Sequence, residues 1–169
     1  VPDRAYEVFD SKLIRFEPDE WVDRSTDLSP IRTDRANLVL PIHIRLRLDE
    51  AFRAYVFGLW LSVLGISRAI LEYCILDNLH KFGIEATWVN REGKRRDKKL
   101  VQLIDESAEH VPQYRESMMR LKNFGNDYIH PKKSRTSKEM LMQRQTDAKT
   151  AIILLYEVVE GIYLAEKSA

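Results

Sequence analysis

Cysteine is nearly absent. The sequence holds one, Cys74, so an internal disulfide is excluded and a reducing cytoplasm is the natural setting. It lies inside an apolar run, where an inert packing thiol is the expected role rather than a reactive one. The histidines His43, His80, His110 and His130 are far apart, and no His/Cys/acid cluster has metal-ligand spacing, so no metal or other cofactor is expected. A phosphate-cradling glycine loop and a nucleophile elbow are also missing. The longest uncharged stretch, residues 54–67, stops at 14 residues, short of the ~18 that a spanning helix needs, so no membrane partner is expected. No secretory-signal pattern opens the chain, which begins at Val1 as a processed product or a fragment of something longer would. Net charge is only +1, which gives no global pull toward nucleic acid or membrane.

What is present is a chain of 169 residues, 44% hydrophobic and 31% charged, enough for one soluble globular domain with its own core. Its charge is uneven. Residues 1–31 hold eight acids against four bases, a net of −4. Residues 91–99 hold six bases against two acids and residues 132–144 five against one, each a net of +4.

Residues 1–48 read as an extended N-terminal arm. Pro2, Pro18, Pro30 and Pro41 puncture it, and after Pro41 apolar Ile42, Ile44, Leu46 and Leu48 alternate with His43, Arg45 and Arg47 in the period of a strand. His43 falls on the polar side, so solvent exposure is its expected state. Residues 49–169 read as a helical bundle domain. Asp49 and Glu50 open a helix over 51–82, about 45 Å long at 1.5 Å per residue, with Gly58 or Gly65 as bending points and Gly83 as its left-handed terminus. Arg68 and Glu72, four apart in its apolar surroundings, are expected to pair with each other, or else to reach toward Asn126 and His130. The basic segment 91–99 leads into a helix over 97–107, Pro112 restarts one that runs toward Gly125, and 131–138 reads as a solvated loop before a last helix over 139–166. The fold class is all-α, an antiparallel bundle of four to five helices carrying an extended arm.

Residues 120–133 (R-L-K-N-F-G-N-D-Y-I-H-P-K-K) concentrate polar chemistry. If Gly125 ends a helix or marks a tight turn, Asn126 is placed to cap the next one. Asn126 and His130 are then four apart and Asp127 and His130 three apart, so they share a face where a carboxylate can orient an imidazole for proton transfer.

Leu121, Gly125, Asn126 and His130 form L-x-x-x-G-N-x-x-x-H, and Arg68 to Glu72 match R-x-x-L-E. In that order the two motifs resemble an uncharacterised bacterial branch of the HEPN superfamily, over about residues 50–166. The resemblance implies a helical bundle that often dimerises with its histidine motifs near the symmetry axis. It also implies kinship with metal-independent ribonucleases of prokaryotic toxin or defence systems. Those enzymes carry an arginine with four to six residues between it and the histidine. The corresponding positions here are Asn123, Phe124 and Gly125, so the arginine is absent.

The expectation is a non-catalytic module, forming a homodimer, that binds RNA, another nucleic acid or a protein partner. Asp127, Arg68 and Glu72 would brace the motif, while Arg95, Arg96, Lys132 and Lys133 would hold an anionic partner in a salt-sensitive way. As a ribonuclease, His130 would be the general acid or base, Asn126 would orient it or the phosphate, and Arg120 or the neighbouring lysines would replace the missing cation. A purely structural or dimerisation role is the third alternative.

Overall fold

The computed structural model describes residues 18–34, 39–129 and 137–165. Six helices and one small hairpin account for nearly all of them: α1 (Pro18–Asp34), α2 (Ile42–Val56), α3 (Trp60–Phe82), β1 (Thr87–Val89), β2 (Arg95–Asp97), α4 (Leu100–Ser107), α5 (Arg115–Ile129) and α6 (Ser137–Leu164). The all-α class is therefore observed.

Within the first 48 residues, 18–34 and 42–48 are helical rather than extended. Pro18 stands at the first position of α1, where its missing N–H costs nothing, and Asp19 and Glu20 follow in the first turn beside the positive end of the helix dipole. The alternation after Pro41 also belongs to a helix, not a strand. Pro41 sits at the N-cap of α2, and the buried positions are Ile44, Leu48, Ala51, Ala54 and Tyr55, a stripe that recurs every three or four residues. Ile42 and Leu46, assigned to the same side by a period of two, are exposed. Four apolar residues at period two fit a strand, and only the residues that follow them select the helix.

The expected long helix divides at Gly58. That residue takes a φ of +73°, a region open to glycine, and Leu59 N–H closes the turn on the Ala54 carbonyl at 2.8 Å. Arg24 of α1 straps this junction: its guanidinium donates to the Val56 carbonyl at 3.1 Å and lies 5.1 Å from the Trp60 ring centre. Gly65 passes unremarked inside α3, whereas Gly83 ends α3 in the left-handed conformation as its type suggests.

α3 is the central element. Val63, Leu64, Ile70, Leu71, Cys74 and Ile75 are fully buried along it, and α2, α5 and α6 all pack against it. At about 1.5–3 kcal/mol per fully buried aliphatic side chain, this one helix carries a large share of the core stabilisation. No helix among the described residues is long and apolar enough to cross a membrane.

The basic segment 91–99 is more ordered than a loop. β1 and β2 pair antiparallel with Thr87 opposite Asp97, Trp88 opposite Arg96 and Val89 opposite Arg95. Gly93 supplies the positive φ of the turn, and the Asn90 side chain accepts the N–H groups of Glu92 and Lys94 at 3.0 and 2.9 Å. The helix expected over 97–107 is present as α4, with Leu100, Leu103 and Ile104 inward. A short 3-10 turn, Pro112–Tyr114, leads into α5.

Candidate functional site

Arg68 and Gly125 meet where α3 and α5 cross. A Cβ built on Gly125 would lie 2.5 Å from Arg68 Cδ and 2.7 Å from its Cβ, so only glycine lets the arginine stem lie against the α5 backbone. Glycine is here for this close approach, not for a turn: α5 runs unbroken through Gly125 and Asn126 to Ile129. Asn126 is consequently a helix-interior residue, and its expected N-cap role is not observed.

The guanidinium of Arg68 pairs with Glu72 one turn along α3, at 3.6 Å. Both side chains are partly exposed, at 30% and 40%, so the pair is only modestly stabilising. Arg68 Nε is buried and meets no acceptor among the described residues. Arg144 of α6 is alike: its Nε also lacks an acceptor there, and its guanidinium lies 5.9 Å from the ring of Tyr128. Tyr128 itself donates to Asp147 at 2.6 Å, which ties α5 to α6. Two guanidinium groups from different helices thus border the last turns of α5.

The remaining expected residues separate. At about 100° per residue, Asp127 points some 200° away from Gly125, so it is exposed and does not bond Arg68 or Glu72. Arg120, seven residues earlier, shares that outward face and lies over the Phe124 ring at 5.5 Å. Asn126 is half-buried between the two faces, with no side-chain hydrogen bond to a described residue. His130, Lys132 and Lys133 lie outside the described residues. Arg95 and Arg96 are on β2, and their hairpin springs from the end of α3 that is about 21 Å from Arg68 along the helix.

Two features had no counterpart in the sequence-based expectations. The first is a polar knot joining α2, α3 and α6: Asp77 Oδ2 contacts His43 Nε2 at 2.5 Å and accepts from the Tyr163 hydroxyl at 3.0 Å. His43 is therefore partnered, not simply solvated. Burial, aided by the nearby Asp77 charge and opposed by a bond from Tyr163, pushes the Cys74 thiol up to about 12, in keeping with an inert role. Burial foremost, then Cys74 and the bond to Asp77, raises Tyr163 as well. These residues are 34 to 86 positions apart, and no local spacing announces them.

The second is a cleft of about 490 Å³ between the hairpin, the end of α3 and α4. Trp88, Phe82, His110, Glu85 and Glu109 are among its walls, and the Phe82 and His110 rings stack at 4.9 Å. The sequence carries a signal for it: Trp88-Val89 precedes N-R-E-G, a hairpin-turn sequence, and a basic run follows. Among the described residues no group of three His, Cys, Asp or Glu side chains could hold a metal ion. In comparison with known proteins, no family model, curated protein or solved structure matches the chain.

Proposed function

We propose that this chain is a HEPN-like interaction module, its helices arranged as an antiparallel bundle, that docks nucleic acid on its basic hairpin without cleaving it. The observation that carries this reading is the state of β2. Arg95 and Arg96 are exposed on a two-stranded ribbon, and neither has a carboxylate partner among the described residues. Lys94 adjoins them, with Glu92 at 3.2 Å as its only neutralising neighbour in the turn. Exposed guanidinium groups on a two-stranded ribbon suit phosphate contacts, and displacing the counterions of a polyanion favours the complex. The Gly125–Arg68 seam braces α5 against α3, which fits a motif that serves structure. A homodimer belongs to the same reading, supported by the exposed apolar residues Leu61, Tyr73 and Leu76 along α3.

Gel shift of the pure protein against single- and double-stranded RNA and DNA at two salt concentrations tests the reading. Binding at low salt that weakens steeply at high salt is expected, and absence of binding at low salt contradicts it.

Ribonuclease activity is the second reading, favoured by Arg68. Its side chain covers Gly125, one of the positions where the superfamily enzymes carry their arginine, so α3 would supply the missing cation. Chelator-resistant cleavage of labelled RNA, lost in His130→Ala and in Arg68→Met, is the outcome required. Intact RNA after incubation with the wild-type protein removes this option.

A further inference from the structure

We propose that the cleft beside the hairpin receives one unpaired nucleobase of the bound strand and favours bases bearing an amino group. This rests on the nucleic-acid reading above and assigns that ligand a second, distinct contact.

The ribbon separates two kinds of chemistry. Successive strand residues face opposite sides, so Trp88 and its cross-strand partner Arg96 share one face, and Lys98 falls on it too. Trp88 is 44% exposed and forms part of the cleft wall, with the stacked Phe82 and His110 rings as another part. An indole face left open to a cleft of about 490 Å³ is a stacking platform, and base–aromatic stacking contributes about 1–3 kcal/mol.

The charges inside the cleft define which part of the nucleotide enters. Lys98 is already committed to Glu106, at 2.6 Å. Glu85 and Glu109 are exposed, and neither bonds to a described residue through its side chain. Two unanswered carboxylates repel phosphate, so the backbone stays outside, on Arg96. A base carries no charge and is admitted. Once stacked, it meets two charged acceptors, while the lysine of the lining, Lys98, is already bound, which rewards amino and imino N–H groups. Guanine presents two adjacent donors to one carboxylate, cytosine and adenine present one amino group each, and uracil presents only its N3–H, flanked on both sides by carbonyl oxygens that the acids repel. In a duplex these edges are already paired, so the preference applies to single strands.

The test uses fluorescence anisotropy at low salt. Its probes are a labelled uridine-only oligonucleotide, the same oligonucleotide with one central guanosine, and a duplex of the latter. Wild-type protein is expected to bind the guanosine strand about tenfold more tightly than either other probe. Trp88→Ala is expected to lose about tenfold on the guanosine strand, Trp88→Phe to retain most of it, and Glu85→Gln with Glu109→Gln to bring the two single strands to near-equal affinity. All these side chains are substantially exposed, and thermal melts of each variant verify folding. Equal wild-type affinity for the three probes, or a guanosine preference unchanged by Trp88→Ala, overturns the cleft assignment. In that event binding lost in Arg95→Ala/Arg96→Ala leaves the module reading standing. Failure of the wild-type protein to bind any probe removes the module reading and the cleft assignment together.

Discussion

Arg68 lies against the backbone of Gly125 so closely that the two residues specify each other. An ordinary interior helix glycine is a weakness of about 1 kcal/mol relative to alanine. This one is the condition for α3 and α5 to approach. The two short motifs that mark the sequence are therefore two sides of one helix crossing.

That relationship gives a reversal of sign. Gly125→Ala in the wild-type background is expected to destabilise the protein by about 1–3 kcal/mol, because its methyl group collides with the Arg68 stem. In an Arg68→Gly background Cβ, Cγ and Cδ of that stem are all gone, and the same substitution is expected to stabilise by up to about 1 kcal/mol through helix propensity. Urea denaturation of the four proteins measures it. Stabilisation in both backgrounds contradicts the close approach.

Gly161 makes a comparable prediction on α6. A Cβ there would collide with the Cδ2–Cε2–Cζ edge of the Tyr114 ring, which packs onto the helix at that point. Gly161→Ala is expected to cost about 2 kcal/mol or more, since an aromatic ring wedged between elements yields less easily than an arginine stem. A melting temperature equal to wild type would show that the ring has room.

Alkaline pH tests the polar knot. Cys74 titrates near 9.0 when free and is held protonated to about 12 in the fold, chiefly by burial. Between those values the unfolded chain has lost a proton that the native chain keeps, so stability falls as pH rises, by up to about 1.4 kcal/mol per pH unit for one such group. Tyr163, raised for the same reason, acts in the same direction above 10.0. Stability measured by urea titration is therefore expected to be maximal below pH 9 with respect to these groups and to decline above it, less steeply in Cys74→Ala. The folded protein should also resist a thiol reagent at pH 8, and rapid labelling of Cys74 would contradict its burial.

How much of the fold and of the site is legible in the sequence depends on the range of the signal. α3, α4 and α6 announced themselves through apolar stripes, and Gly83 through its place after the last of them. The Arg68–Glu72 pair followed from spacing alone. α2 is ambiguous because Ile42, Ile44, Leu46 and Leu48 satisfy a period of two, and only the continuation to Ala51 and Tyr55 selects the helix. Gly125 is ambiguous for a different reason. A helix glycine facing a neighbour and a glycine at a helix end look alike locally, and what distinguishes them is Arg68, 57 residues earlier. The site divided on the same principle. The basic residues of the hairpin were visible as charge, but the cleft depends on Phe82, Trp88 and His110 meeting through the fold.

The most direct test of the central claim is the salt dependence of single-strand binding. For wild-type protein and the Arg95→Ala/Arg96→Ala variant, the slope of log affinity against log salt is measured with one oligonucleotide. Two lost phosphate contacts are expected to reduce that slope by about 1.4, at ~0.7 for each single-strand contact, with weaker binding at every salt concentration. An unchanged slope and affinity in the variant would contradict the hairpin as the nucleic-acid surface.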